Sequence, residues 1–244
     1  MSEKLSHLPQ KSRETALDFT KALKDTFGAD LLAVMIYGSA AGEEFIEGKS
    51  DINFMIVLAK VTAIELGNIA KVAKSYAKKG LAVPLVFDKN HIDTSLDTFP
   101  IEFSDMRNRH ILLHGVDPLD NCQIETTNLR FQCERELKSI LVNLRRGFLQ
   151  GAGKQENLKI LLESSLSSVF AACRGLIYLK SNNPSDKIEG LLGEVKEIYK
   201  IDTAAILKVW HLKQAKSDGK LELMKLFDDY CGEIHLLAMA ADKL

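Results

Sequence analysis

Between Arg13 and Phe27 the apolar residues Ala16, Phe19, Leu23 and Phe27 recur every three or four positions, the spacing of one helix face. Gly28 follows and predicts a C-cap, since glycine turns left-handed without a Cβ penalty. The pattern then changes to an unbroken apolar run, Leu31–Tyr37, of the length of a fully buried strand. A loop of glycine, serine and charged residues leads to a second run, Ile52–Leu58. Residues 61–79 are rich in Ala and Lys, helical in pattern, and end at Gly80. A third run, Leu81–Phe87, carries Pro84, which lacks the N–H of a central strand and predicts an edge or irregular one. Residues 91–110 read as mostly helical, broken at Pro100, and lead into Ile111–Gly115. The N-terminal half therefore alternates helix and strand around one sheet.

Beyond residue 120 the strand signal stops. Leu129, Cys133, Leu137, Leu141, Leu144 and Phe148 form a continuous helical stripe that ends among Gly147, Gly151 and Gly153. Similar stripes over 157–180, 186–200, 203–216 and 220–242 are separated by short polar turns. The expected fold class is α+β: a mixed sheet with flanking helices over residues 1–120, then an all-α bundle of about five helices over 121–244. No repeat or low-complexity tract interrupts either half.

Composition narrows this only slightly. The chain is 46% hydrophobic and 27% charged, with a net charge of −1, so the basic excess of a general nucleic-acid binder is missing. Four cysteines lie scattered without a CxxC pair, which fits buried, reduced thiols. The N-terminal MSEKLSHLPQKSRE has no apolar signal core, and no apolar run approaches the roughly 20 residues needed to cross a bilayer. The expected setting is cytoplasmic, with no membrane partner.

The loop between the first two runs carries the chemistry. Gly38-Ser39 closes a buried strand, and a glycine there lets backbone approach a phosphate closely. If Ala40–Phe45 begin a helix, its N–H groups and the Ser39 hydroxyl face that phosphate. Further on, Ser50-Asp51-Ile52-Asn53 opens the second strand, and alternation puts residues 51 and 53 on one face. Two carboxylates so placed can share Mg²⁺ ions that bridge triphosphate oxygens, with a third acid from a neighbouring strand activating the attacking hydroxyl.

With Gly38-Ser39 followed by Ser50-Asp51, each abutting a short apolar strand, the chain resembles the polymerase-β-type nucleotidyltransferase superfamily. It is most similar to the small bacterial two-domain members, the aminoglycoside adenylyltransferases and their relatives. The resemblance implies transfer of a nucleoside monophosphate from an NTP to a hydroxyl of a small-molecule acceptor. It implies Gly38, Ser39 and Ser50 at the nucleotide, with Ser39 holding the β- and γ-phosphates, and Mg²⁺ at positions 51 and 53. Nucleotide and small-molecule acceptor are the partners it implies; nucleic acid is not expected, and a homodimer is compatible with the layout.

The sequence departs from that pattern twice. Position 53 is Asn, whose single neutral oxygen cannot bridge two cations. The third run contains no acid where Val83, Pro84 or Val86 stand. Asp88 lies just beyond it, about 13 Å along an extended strand from Pro84. Two readings stay open: a transferase, weakened or intact, using Asp51, Asn53 and an acid such as Asp88 or Glu102; or an inactive nucleotide-binding or protein-interaction module on the same fold. A scaffold whose first half serves only dimerisation is a third class.

Other candidates are weaker. Arg107, Arg109 and His110 reach a triphosphate only if their helix packs beside the loop; otherwise Arg107 pairs with a nearby acid such as Asp105. His110 and His114 are four apart but straddle a helix–strand boundary, which argues against a metal pair. Trp210, Tyr199 and Tyr178 read as core, and Asp228-Asp229 as a solvated helix face.

Overall fold

The computed structural model describes residues 3–42, 45–181, 184–214 and 222–244. Its contacts divide the chain into two compact units, Met1–Thr98 with Phe103–Gln123, and Phe99–Glu102 with Ile124–Leu244. The architecture is α+β.

In the first unit, α1 (Gln10–Phe27) leads through a single 3-10 turn into β1 (Leu31–Tyr37). β2 (Asn53–Leu58), α2 (Ala63–Lys74), β3 (Leu85–Phe87), α3 (Lys89–Asp93), α4 (Pro100–Asn108, in this unit from Phe103 onward) and β4 (His110–Gly115) follow. The sheet order is β3-β2-β1-β4, with β1 antiparallel to both β2 and β4, and β2 parallel to β3. Alternation sends Val34, Ile36, Phe54, Ile56 and Leu58 to one face, where Ala16, Phe19 and Leu23 of α1 and Ile69 of α2 bury them. Phe19 meets the Phe54 ring edge-on, with centroids 4.9 Å apart.

Two expectations change here. The third apolar run is a strand only over its last three residues. Leu81 bridges Ile52 and pairing resumes at Leu85 opposite Met55, so four steps of one chain span three of the other. The extra residue falls in Ala82–Pro84, where Pro84 has no N–H for a ladder. Pro100 does not break a helix; it opens α4, because proline fits the first helical position, whose N–H has no intrahelical partner.

The second unit holds, among the described residues, five helices: α5 (Thr126–Gln150), α6 (Gln155–Tyr178), α7 (Ile188–Tyr199), α8 (Ala204–Lys213) and α9 (Leu223–Asp242). The end of the fourth expected stripe and the start of the fifth lie outside the described residues. α6 is central and packs on all four others. At 24 residues it is also long and apolar enough to cross a bilayer by length and composition, contrary to the expectation from the runs, but over half of that span is buried within the protein. Gly175 lets α6 approach α5, since a Cβ there would lie 2.5 Å from the Cys133 sulfur. From α9, Glu233 accepts the Ala205 and Ile206 N–H groups at 2.8 and 2.9 Å and so caps α8. Trp210 and Tyr178 are core, as their stripes imply, and Trp210 meets the Phe170 ring edge-on. Asp228 and Asp229 are exposed.

Burial also sets an alkaline limit. It pushes the Cys173 thiol up to about 12 and the Cys231 thiol up to about 11. A raised acid favours its neutral form in the folded state, so its stabilisation is complete below the unfolded thiol value of about 8.5 and fades as pH climbs toward the folded one. Melting temperature is expected to fall progressively above about pH 8.5, with a shallower slope in Cys173→Ala; a parallel slope in that variant removes Cys173 as a cause.

Candidate functional site

The site lies where β1 ends and β2 begins. Gly38 turns left-handed at φ 71°, and Gly38–Ala41 wind into a 3-10 turn closed by the Gly42 N–H on the Ser39 carbonyl at 3.2 Å. This single turn stands in place of the helix expected from Ala40; Glu43 and Glu44 lie outside the described residues. Ala40 is buried and plugs the turn into the core, while the His7 ring donates Nε2–H to its carbonyl at 3.0 Å. His7 therefore fixes the loop from 33 residues upstream.

Beside the turn, Asn53 pairs with Tyr37 across β1–β2, and Tyr37 pairs with His110 across β1–β4. Paired residues share a face, so these three side chains form a row. Asn53 lies directly against Gly38: a Cβ on that glycine would stand 3.2 Å from the amide nitrogen Nδ2. Burial raises the Tyr37 phenol above its ordinary value, so it stays neutral. His110 is held at both ring nitrogens, by the Met106 carbonyl at 2.8 Å and the Asp117 carboxylate at 2.8 Å.

Arg109 supplies a buried positive charge. It is 6% exposed, and its Nη2 would lie 2.6 Å from a Cβ placed on Gly42, so the guanidinium packs on the loop itself. Asp105, one helical turn before it, sits 3.7 Å from Nη1. This corrects the pairing expected of Arg107: Arg107 donates instead to the Cys122 carbonyl at 2.7 Å.

The other expected site residues divide. Asp51 is exposed, two residues before Asn53, and Ser39 is half-buried within the turn. Ser50 closes a separate turn: its Oγ accepts the Ile46 N–H at 3.0 Å, and its own N–H meets the Ile46 carbonyl. Asp88 is not brought to this end. Phe87 pairs with Val57, so Asp88 comes level with Leu58, five residues or roughly 16 Å along β2 from Asn53. Its carboxylate caps α3 by accepting the His91 N–H at 2.8 Å. Glu102 is engaged in the second unit, accepting from Gln132 at 2.6 Å. The residues the register brackets beside Asn53 are Ala82, Val83 and Pro84, none of them acidic.

No protein-family model matches the chain, and no curated protein sequence does. Among solved structures it is similar to spectinomycin adenyltransferase AAD(9) from Enterococcus faecialis, determined with ATP and spectinomycin. The TM-score is 0.57 at 11% sequence identity, covering 94% of this chain and 98% of that one. The fold is that of a nucleotidyltransferase.

Enzymes of this fold typically use an NTP and a divalent cation. Among the described residues the donor set does not fit a pair of such ions. Two-metal sites hold their ions about 4 Å apart on shared carboxylates, and Asn53 offers one neutral oxygen where such a carboxylate is needed. Its strand neighbours Ala82–Pro84 offer none, and among the described residues no three His, Cys, Asp or Glu side chains gather as a metal site. Two helpers beyond the motif, His7 and Tyr37, carried no sequence signal, because only the sheet register and the N-terminal fold bring them to the loop.

Proposed function

We propose that this protein binds a nucleoside triphosphate at the Gly38–Gly42 turn and does not carry out two-metal nucleotidyl transfer. The observation that carries the reading is the Asn53 amide seated against Gly38, with Tyr37 on one side of it and the acid-free Ala82–Pro84 on the other. The turn keeps what phosphate binding needs, a left-handed glycine, backbone N–H groups and the Ser39 hydroxyl. Arg109 places a fixed positive charge against the same turn, where it favours an anion without a metal ion. Asp51, exposed two residues before Asn53, is the acid left to hold one hydrated cation on a bound triphosphate.

A second reading, transfer of a nucleoside monophosphate to a small-molecule hydroxyl, is favoured by the likeness to an adenyltransferase solved with ATP and spectinomycin. Melting curves with ATP and GTP, in Mg²⁺ and in EDTA, separate the two. Binding without metal predicts stabilisation by nucleotide in EDTA and little further loss in Asp51→Ala. Stabilisation that needs Mg²⁺ and disappears in Asp51→Ala favours the transferase, and no shift with either nucleotide refutes both.

A further inference from the structure

A cleft of about 480 Å³ lies in the first unit at the end of the sheet opposite the Gly38 turn. It faces the starting residues of β1, four positions or roughly 13 Å from Tyr37. That volume is within the range of small-molecule sites.

Its walls follow from the local sequence. Gly115 ends β4 at φ 82°, and a Cβ there would stand 1.8 Å from the Leu32 carbonyl oxygen, so only glycine allows the reversal. The reversed chain, residues 116–122, is then pinned at three points. Asp117 accepts the Leu119 N–H at 2.8 Å and holds His110, while the Cys122 carbonyl takes the Arg107 guanidinium. The facing wall is α3, capped by Asp88, with Leu96 just after it.

The floor is apolar: Ala33 and Val57 are buried, and Leu32 stays 41% exposed. Val116 at the rim is 83% exposed. Leu32 and Val116 are the apolar side chains that present surface to the cleft, over the buried Ala33 and Val57. Charge then selects the ligand. Asp93 and Asp117 line the cleft against a single cation, Lys89. Their field reaches the interior: burial first, then the charges of Asp93 and Asp117, raise the Cys122 thiol despite Arg107.

We propose that this cleft is a second ligand site, distinct from the Gly38 turn, and takes an organic amine, its apolar body against Leu32 and Val116 and its ammonium between Asp93 and Asp117. An ammonium gains charge-assisted hydrogen bonds from the carboxylates, whereas a triphosphate meets repulsion. The site stands independently of the nucleotide reading.

Amide-resolved NMR titrations of the full chain test it with three probes of one shape: phenethylamine, 2-phenylethanol and 3-phenylpropanoate. The amine is expected to shift the amides of Ala33, Asp93 and Asp117, binding about tenfold more tightly than the alcohol, with the carboxylate weakest. Asp93→Asn, at an exposed position, is expected to bring the amine down to the alcohol's affinity while the spectrum stays folded. Equal binding of amine and alcohol, an amine affinity unchanged in Asp93→Asn, shifts that map elsewhere, or no shift by any probe at millimolar concentration would each overturn the proposal.

Discussion

Gly115→Ala is expected to lower the melting temperature by about 8–16 °C, the equivalent of about 4 kcal/mol in a chain of this size. Two penalties combine at that residue. The backbone is left-handed at φ 82°, which costs a residue with a Cβ about 1–3 kcal/mol by itself. The new methyl would also stand 1.8 Å from the Leu32 carbonyl oxygen, a backbone atom of the peptide bond to Ala33, which pairs with Gly115 at the end of the β1–β4 ladder. Gly28→Ala is the control. It too has a positive φ, 52°, but nothing lies within 4 Å of its added Cβ, so only the conformational penalty applies. Equal melting temperatures for the two variants in differential scanning calorimetry contradict the account of the Gly115 turn.

Arg109→Met is expected to cost about 3 kcal/mol and to weaken ATP binding at least about tenfold. The stability loss arises because Asp105, whose side chain is 18% exposed, loses the cation one helical turn away, and breaking a buried pair costs about 3–5 kcal/mol. Partial exposure of Asp105 places the value at the lower end. The binding loss is expected because the guanidinium packs on Gly42 in the turn proposed to hold the phosphates. Arg109→Lys keeps a charge without the planar fork and should fall between the two in both measurements. Loss of stability with ATP affinity unchanged would show that Arg109 only braces α4 and takes no part in anion binding.

Much of this fold is legible in the sequence because buried strands are short apolar runs. β1 spans Leu31–Tyr37 as the pattern predicts, and β2 opens at Asn53, one residue inside its run. Gly38-Ser39 and Ser50-Asp51 suffice to point to the nucleotidyltransferase fold. Register is what the pattern does not contain. Whether an acid stands beside Asn53 depends on a bulge at Ala82–Pro84 that only the pairing of Leu81 and Leu85 defines. The partner of Asp105 was within reach: Arg109 lies at i+4 on the same helix surface, while Arg107 at i+2 points away. His7 reaches the Ala40 carbonyl through the packing of the N-terminal segment, and no local pattern encodes such a contact.

Nucleotide binding at the Gly38 turn is expected to survive without the two-metal donor set. Calorimetric titration of ATP into the native chain and Asn53→Asp, each in Mg²⁺ and in EDTA, tests it most directly. The native Kd should agree within about threefold between the two buffers, and Asn53→Asp should bind tightly only in Mg²⁺, because a second carboxylate both repels bare triphosphate and completes a cation site. Native binding that vanishes in EDTA, accompanied by release of pyrophosphate in Mg²⁺, would contradict it.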